Sequence, residues 1–328
     1  MKASVFSGLY YRFIEIAVKL CRTGKKVEKF SNFVSALRGK LSSSRNHLYN
    51  EHLKRIFPEH NQPWRDNILQ GYWRVHERNL FALFYLKNKI FKDIQENVTW
   101  TGREELDSAF DSGKGLLLLV PHFGDERSLH VILGMEGYPV DVITSNYTDM
   151  PKHARDCRLG IGKKWNNLHF PSENPRWMFR TLTEGRILHY ASTAYGGPAG
   201  TWIENFGVKV LVPSAPWKLW KRSNCKVLLG SCRQTSEMGF SLQFSEITPG
   251  SSKEEFAQLI AVETEKLASI YPDQYEWKNL LIRHRETNTI KRIGKIPVNE
   301  RELEKLAKYS DANPLRILSL TEILDSLR

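Results

Sequence analysis

An α/β fold, with a mostly parallel central sheet flanked by helices and a helical N-terminal region, is the class this sequence predicts. Three observations carry that reading. From Val98 onward, strand-length runs recur at Gly115–Val120, Val140–Ile143, Arg186–Ala191, Lys209–Val212, Lys226–Gly230 and Ser241–Ile247. Segments of helical period separate several of them, at Arg127–Met135, Pro175–Thr183, Ser214–Lys221 and Lys253–Tyr271, and strands that alternate with helices favour parallel pairing. Before Val98 the period is helical almost throughout. The chain therefore divides into a helical, membrane-facing region at 1–95, an α/β domain at 96–285 and a polar, basic extension at 286–328. Two helices are expected in the extension, near Glu300–Tyr309 and Leu315–Leu327.

Taken in order, the first helix gathers Val5, Leu9, Phe13, Ile16, Ala17 and Leu20 on one face and Arg12, Glu15 and Lys19 on the other. Such a helix lies in a membrane interface or packs on the protein's own core, and its pattern alone favours neither. Its charges interrupt the apolar run, so it does not read as a secretory signal, and no stretch of about 18 uncharged apolar residues marks a membrane span. A basic, serine-rich loop from Arg38 to Arg45 follows. The segment Trp64–Leu86 is apolar at helical spacing through Ile68, Leu69, Tyr72, Val75, Leu80, Leu83 and Phe84, a stripe that lines a core or a lipid site. Leu116–Val120 is the most apolar strand, bounded by Gly115 and Pro121.

The 328 residues, 41% hydrophobic and 26% charged, suffice for a full core. A net charge of +12 calls for an acidic partner: nucleic acid, an anionic lipid surface or a phosphorylated substrate. Nothing but charge speaks for nucleic acid, since no zinc finger, RNA-binding aromatic motif or helix-turn-helix pattern accompanies it. Cys21, Cys157, Cys225 and Cys232 lack metal-ligand spacing and read as reduced thiols; neither a metal nor a cofactor is expected.

The chemistry concentrates after the strand, in Pro121-His122-Phe123-Gly124-Asp125-Glu126-Arg127. Imidazole at a strand end, with an acid to orient its second nitrogen, is suited to take a proton from an attacking hydroxyl. Asp125 and Glu126 are the local acids, and both have a structural reading as N-cap and first-turn residue of the next helix. A second cluster runs from Trp202 through Glu204-Asn205-Phe206-Gly207 to Trp217-Lys218-Leu219-Trp220, forming either one wall of a cleft or a turn plus core. Arg176 and Arg180, one helical turn apart, face a phosphate or simply solvent. Trp217, Lys218, Trp220, Lys221 and Arg222 form an aromatic-basic stretch suited to a membrane interface.

Four of these segments, in order, resemble the bacterial lipid A biosynthesis acyltransferase family of the wider lysophospholipid acyltransferase group. They are Phe57-Pro58-Glu59 with Tyr72-Trp73-Arg74-Val75-His76-Glu77-Arg78-Asn79-Leu80; Gly113 to Gly124, ending in His-x-Gly; Glu184-Gly185-Arg186 through Phe206-Gly207 to Trp217-Lys218-Leu219; and Pro272-Asp273-Gln274-Tyr275-Glu276-Trp277. The resemblance spans roughly residues 10–285. It implies a glycerolphosphate-acyltransferase-like fold at the cytoplasmic face of the bacterial inner membrane, attached peripherally. It implies transfer of a fatty acyl chain from an acyl carrier protein or coenzyme A thioester to a hydroxyl of a glycolipid or lysolipid, at an anionic membrane surface and without nucleic acid. His122 carries over as the family's general base.

Two positions depart from the pattern. Arg127 stands five residues after His122, where the family has Asp or Glu, and Ser192-Thr193-Ala194 follows His189-Tyr190-Ala191 where the family often has Asp-Gln. Arginine has no acceptor. Either Asp125 or Glu126 substitutes for the missing acid, or Glu204 reaches in, or the chain is an inactive homologue that binds lipid or acyl carrier protein. The expected catalytic set is His122, Asp125 and Glu126, with Arg127, Arg176, Glu204, Phe206 and Gly207 at the substrate.

Overall fold

The computed structural model describes residues 5–40, 49–50, 53–54, 56–88, 94–144, 147, 150–170, 173–192, 200–206, 208–275, 281–284 and 289–292. A seven-stranded mixed sheet forms its centre. It contains β1 (Val98–Thr101), β2 (Leu116–Val120), β3 (Val140–Ile143), β4 (Asn167–His169), β5 (Ile187–Ala191), β8 (Lys226–Gln234) and β9 (Phe240–Glu246) in the order β1-β9-β8-β2-β5-β3-β4. Every neighbouring pair is parallel except β8 with β9. A smaller antiparallel sheet joins β6 (Gly200–Asn205), β7 (Val208–Pro213), β10 (Leu281–His284) and β11 (Thr289–Arg292).

Strand β2 is buried along its whole length, and its alternation divides the interior in two. Leu116, Leu118 and Val120 join one apolar cluster, with side chains from α1 (Val5–Cys21), α2 (Gly24–Lys40), α5 (Glu126–Met135) and α6 (Lys152–Trp165). Leu117 and Leu119 join the other, with α7 (Arg176–Thr183), α8 (Ala215–Ser223) and α9 (Lys253–Ile270). A remaining helix, α4 (Arg103–Asp111), follows β1. Helix α3 (Gln62–Asn88) is about 40 Å long at 1.5 Å per residue and serves both clusters: Ile68, Leu69, Tyr72 and Trp73 on one side, Leu80 to Leu86 on the other. It thus runs past the end of the sheet. The stripe expected of it is core, with Val75 only half-buried.

The N-terminal helices share these cores with the sheet. Buried Glu77 of α3 accepts from Tyr10 of α1 and Arg38 of α2, tying three helices through one carboxylate. The burying face of α1 is Ile14, Ala17 and Val18; Leu9, Phe13, Ile16 and Leu20 point outward, Leu20 at 74% exposure. Of the residues grouped on one face in the sequence, Ala17 is thus buried while Leu9, Phe13, Ile16 and Leu20 are exposed, because the buried stripe is rotated toward Ile14 and Val18. No helix among the described residues is long and apolar enough to cross a membrane.

The expected strands and helices recur within one or two residues, except that β8 runs on to Gln234 and that two helices, α1 and α2, precede the basic loop, α2 taking in Arg38 to Lys40. The short β1, β4, β6, β10 and β11 and helices α4 and α6 were not legible. Strand β11 lies within 286–328, so the extension expected to be helical begins with a strand; the helices expected near Glu300–Tyr309 and Leu315–Leu327 fall outside the described residues.

Candidate active site

The carboxyl ends of β2, β3 and β5 lie side by side, the usual place for a ligand in an open parallel sheet. From β2 the chain passes Pro121 and His122 into a turn held on every side. Gly124 takes φ +62°, and a Cβ there would sit 2.1 Å from the Cys232 carbonyl oxygen, so both conformation and space require glycine. The Gly124 amide donates to the Gln274 carbonyl at 2.7 Å, its carbonyl accepts from Asn79 Nδ2 at 2.8 Å, and the Asp125 amide donates to the Cys232 carbonyl at 2.7 Å. Phe123 bridges to Tyr275 and is fully buried beneath the turn. Asn79, Gln274 and Tyr275 belong to sequence segments quoted above, yet nothing in those segments indicated that they would meet the His122 turn.

The two acids after His122 have separate surroundings. Asp125 is the N-cap of α5: Oδ1 accepts from the Ser128 amide at 3.3 Å, and Oδ2 from Ser128 Oγ at 2.7 Å and Gln234 Nε2 at 2.9 Å. Its carboxyl is buried, and burial raises its pKa against the pull of those donors. Its cap reading is therefore realised. Glu126 is half-buried, 3.4 Å from Arg127 Nε, and close enough to the buried His189 to favour the cationic ring. His122 lies near His189 too and opposes that charge. Burial outweighs both and brings the His189 pKa down to about 4. His189 packs edge-on against His130 at 5.3 Å between centroids, and neither His189 ring nitrogen makes a hydrogen bond of normal geometry among the described residues. His130 is also pushed well below its ordinary pKa, by burial and then by His189, Arg158 and Arg127.

Behind the turn a cavity of 40 Å³ is lined by Asp125, Arg127, His130, Thr144, Tyr147 and Arg158 among others. A second, of 20 Å³, lies between β6, β7, α8 and α9, where Ile203, Val212, Trp217, Phe256 and Ile260 meet Ser192. A wider groove of 630 Å³ follows α6 past His153, Cys157 and Trp165. His122 lines none of these three and is itself half-buried at the turn.

The other expected substrate residues scatter. Arg127 reaches the first cavity. Arg176 and Arg180 are exposed, Arg180 paired with Glu184 at 3.8 Å. Glu204 is exposed on β6, its backbone bonded both ways to Gln258 of α9, and it stands near Glu265, whose pKa it raises after burial has done so. Phe206, at φ +48°, packs against Phe57 and Tyr275 at 6.1 and 5.9 Å. Gly207 falls outside the described residues. Trp217 and Trp220 are half-buried against Phe256. Sequence reasoning missed Arg158, His130 and Gln234: a basic residue in a polar helix, a histidine in a helical stripe and a strand-end glutamine carry no distinguishing pattern.

The family described as bacterial lipid A biosynthesis acyltransferase matches residues 10–283. A lipid A biosynthesis acyltransferase of Haemophilus influenzae is 23% identical over 242 residues, which cover 71% of this chain and 74% of the relative.

Proposed function

The chain belongs to the bacterial lipid A biosynthesis acyltransferase family, which supports an acyltransferase activity, and from that premise we propose a mechanism and a setting. The protein moves a fatty acyl chain from an acyl carrier protein or coenzyme A thioester to a hydroxyl of a glycolipid or lysolipid. His122 takes the hydroxyl proton as the oxygen attacks the thioester carbonyl. The tetrahedral oxyanion then collapses, expelling the thiolate, which recovers the proton from the imidazolium. Glu126 balances the imidazolium that forms, taking the part that Arg127 cannot. Asp125 keeps the turn in place.

One observation carries this reading: Asn79, Cys232, Gln274 and Tyr275, from three distant parts of the chain, all hold the turn on which His122 sits. A turn so heavily constrained suits a group that must be held to within a fraction of an ångström. Transfer of a radiolabelled acyl group to lipid acceptors in detergent micelles tests it. His122→Ala is expected to lower the rate by about 10³-fold and Glu126→Gln by about 10²-fold or more, with unchanged circular dichroism, while Asp125→Asn stays within a few-fold of wild type. Undiminished transfer by His122→Ala would remove the imidazole from the reaction. A wild-type protein that transfers nothing yet binds lipid would favour the inactive homologue, the reading that Arg127 supports.

Attachment is peripheral, at the cytoplasmic face of the inner membrane, through α1 and α2. Support comes from their exposed Leu9, Phe13, Ile16, Leu20, Phe33 and Leu37, flanked by exposed Arg12, Lys19, Lys25, Lys26 and Lys29. Each basic residue at an anionic surface adds about 1 kcal/mol. Co-sedimentation with phosphatidylglycerol vesicles should fall about tenfold or more in Leu9→Ser/Ile16→Ser; equal sedimentation would sink the attachment through these helices.

A further inference from the structure

Two guanidinium groups line the cavity behind the turn: Arg158, with buried nitrogens, and the more exposed Arg127, which also stands 3.4 Å from Glu126. Arg158 Nε and Nη1 are buried and donate to no group among the described residues. The guanidinium lies 5.1 Å from the Tyr147 ring centroid, a contact that offsets only part of its lost hydration. Arg127 lines the same cavity and repels it. Among the described lining residues the one carboxylate is Asp125, and its two oxygens are engaged by Ser128 and Gln234. Buried charge without a counter-ion is costly, and an anion that supplies one is correspondingly favoured. The Thr144 hydroxyl donates to the Tyr147 hydroxyl at 3.0 Å, and the pair adds polar surface to the lining. A volume of 40 Å³ admits about three waters, the span of the oxygens of one tetrahedral anion.

We infer that this cavity is a phosphate site, in which Arg158 and Arg127 bind a phosphomonoester from two sides. Two guanidinium forks suit the dianion better than a single-charged carboxylate, since each presents paired donors to its oxygens. The substitution of an arginine for the family's acid thereby gains a purpose: position 127 serves the ligand rather than the imidazole. The site is a property of the resting protein and does not rest on the acyl-transfer reading, so its failure and that of the reaction are separable.

Isothermal titration of the full chain with inorganic phosphate tests it, with acetate as the competing anion class. Saturable binding is expected, weakened roughly tenfold or more in Arg158→Gln and in Arg127→Gln and unchanged in Lys163→Gln, an exposed cation on the same α6. Arg127 is largely exposed, so its variant folds even where loss of Arg158 disturbs the core. Two competitors then separate the sources of the phosphate: 4′-phosphopantetheine for the thioester donor, glucosamine 1-phosphate for a sugar acceptor. The stronger competitor identifies the substrate that brings the group. Equal phosphate affinity in all three variants, competition by neither compound, or tighter binding of acetate than of phosphate would overturn the assignment.

Discussion

The turn that carries His122 and the interior just behind it are neighbours with opposite polar character. In the turn, the Gly124 amide and carbonyl, the Asp125 amide and both Asp125 oxygens have hydrogen-bond partners. Nearby, Arg158 Nε and Nη1, both His189 ring nitrogens, Asn79 Oδ1 and Gln234 Oε1 are buried without one among the described residues. Asn79 and Gln234 belong to both groups: each uses its amide nitrogen to fix the turn, while its oxygen is among the buried atoms without a partner. Buried polar groups are nearly always paired, so exceptions beside a well-bonded turn set the two regions apart: in the proposed reading one sets position and the other meets the ligand. The cost of substitution should divide the same way, in stability for the turn and in ligand binding or pH dependence for the interior.

The largest effect is expected at Gly124. An alanine there must hold φ near +62° and place its Cβ against the Cys232 carbonyl, breaking the Asp125–Cys232 bond as it moves away. Gly124→Ala should lose about 3 kcal/mol or more and some 5–10 °C in melting temperature. A variant as stable as wild type would show that the turn is looser than its hydrogen bonds imply.

A smaller effect is expected from the interior, and only in acid. Burial lowers the His189 pKa from its ordinary 6.5 to about 4, so above pH 6.5 the ring is neutral folded or unfolded and stability is unaffected. Below 6.5 the unfolded chain takes up a proton that the folded chain refuses, and stability falls progressively until the folded ring titrates near pH 4, by up to about 3 kcal/mol. Urea denaturation from pH 7 to 4 should show this slope, reduced in His189→Phe, with His130 and carboxylates held low in the fold, such as Glu15, adding to the rest. An unchanged slope in His189→Phe would place the unsatisfied character elsewhere.

Much of the architecture was readable because burial leaves a periodic trace. Leu116–Val120 is apolar on both faces of its strand and could only be interior, and the helices between the strands announce themselves by their stripes. Asp125 was readable as a cap because the cap forms within its own turn, three residues from Ser128. Elements of three or four residues such as β1 and β4 leave too few positions for a period. The apolar stripe of α1 shows the opposite limit, for the same spacing that buries α3 leaves Leu9 and Leu20 outside. Amphipathicity states that a face seeks an apolar partner without naming the partner.

The sequence alone determined the fold class, the family resemblance and the place of His122 at a strand end, because these depend on local period and on short-range spacing. Tertiary structure decided that Glu126 stands near His189, that residues as far apart as Asn79 and Gln274 hold one turn, and that Arg127 and Arg158 line one cavity. Those relations join residues dozens to nearly two hundred positions apart, and only the packing of α3, α5, α6 and β8 around the sheet end brings them within reach.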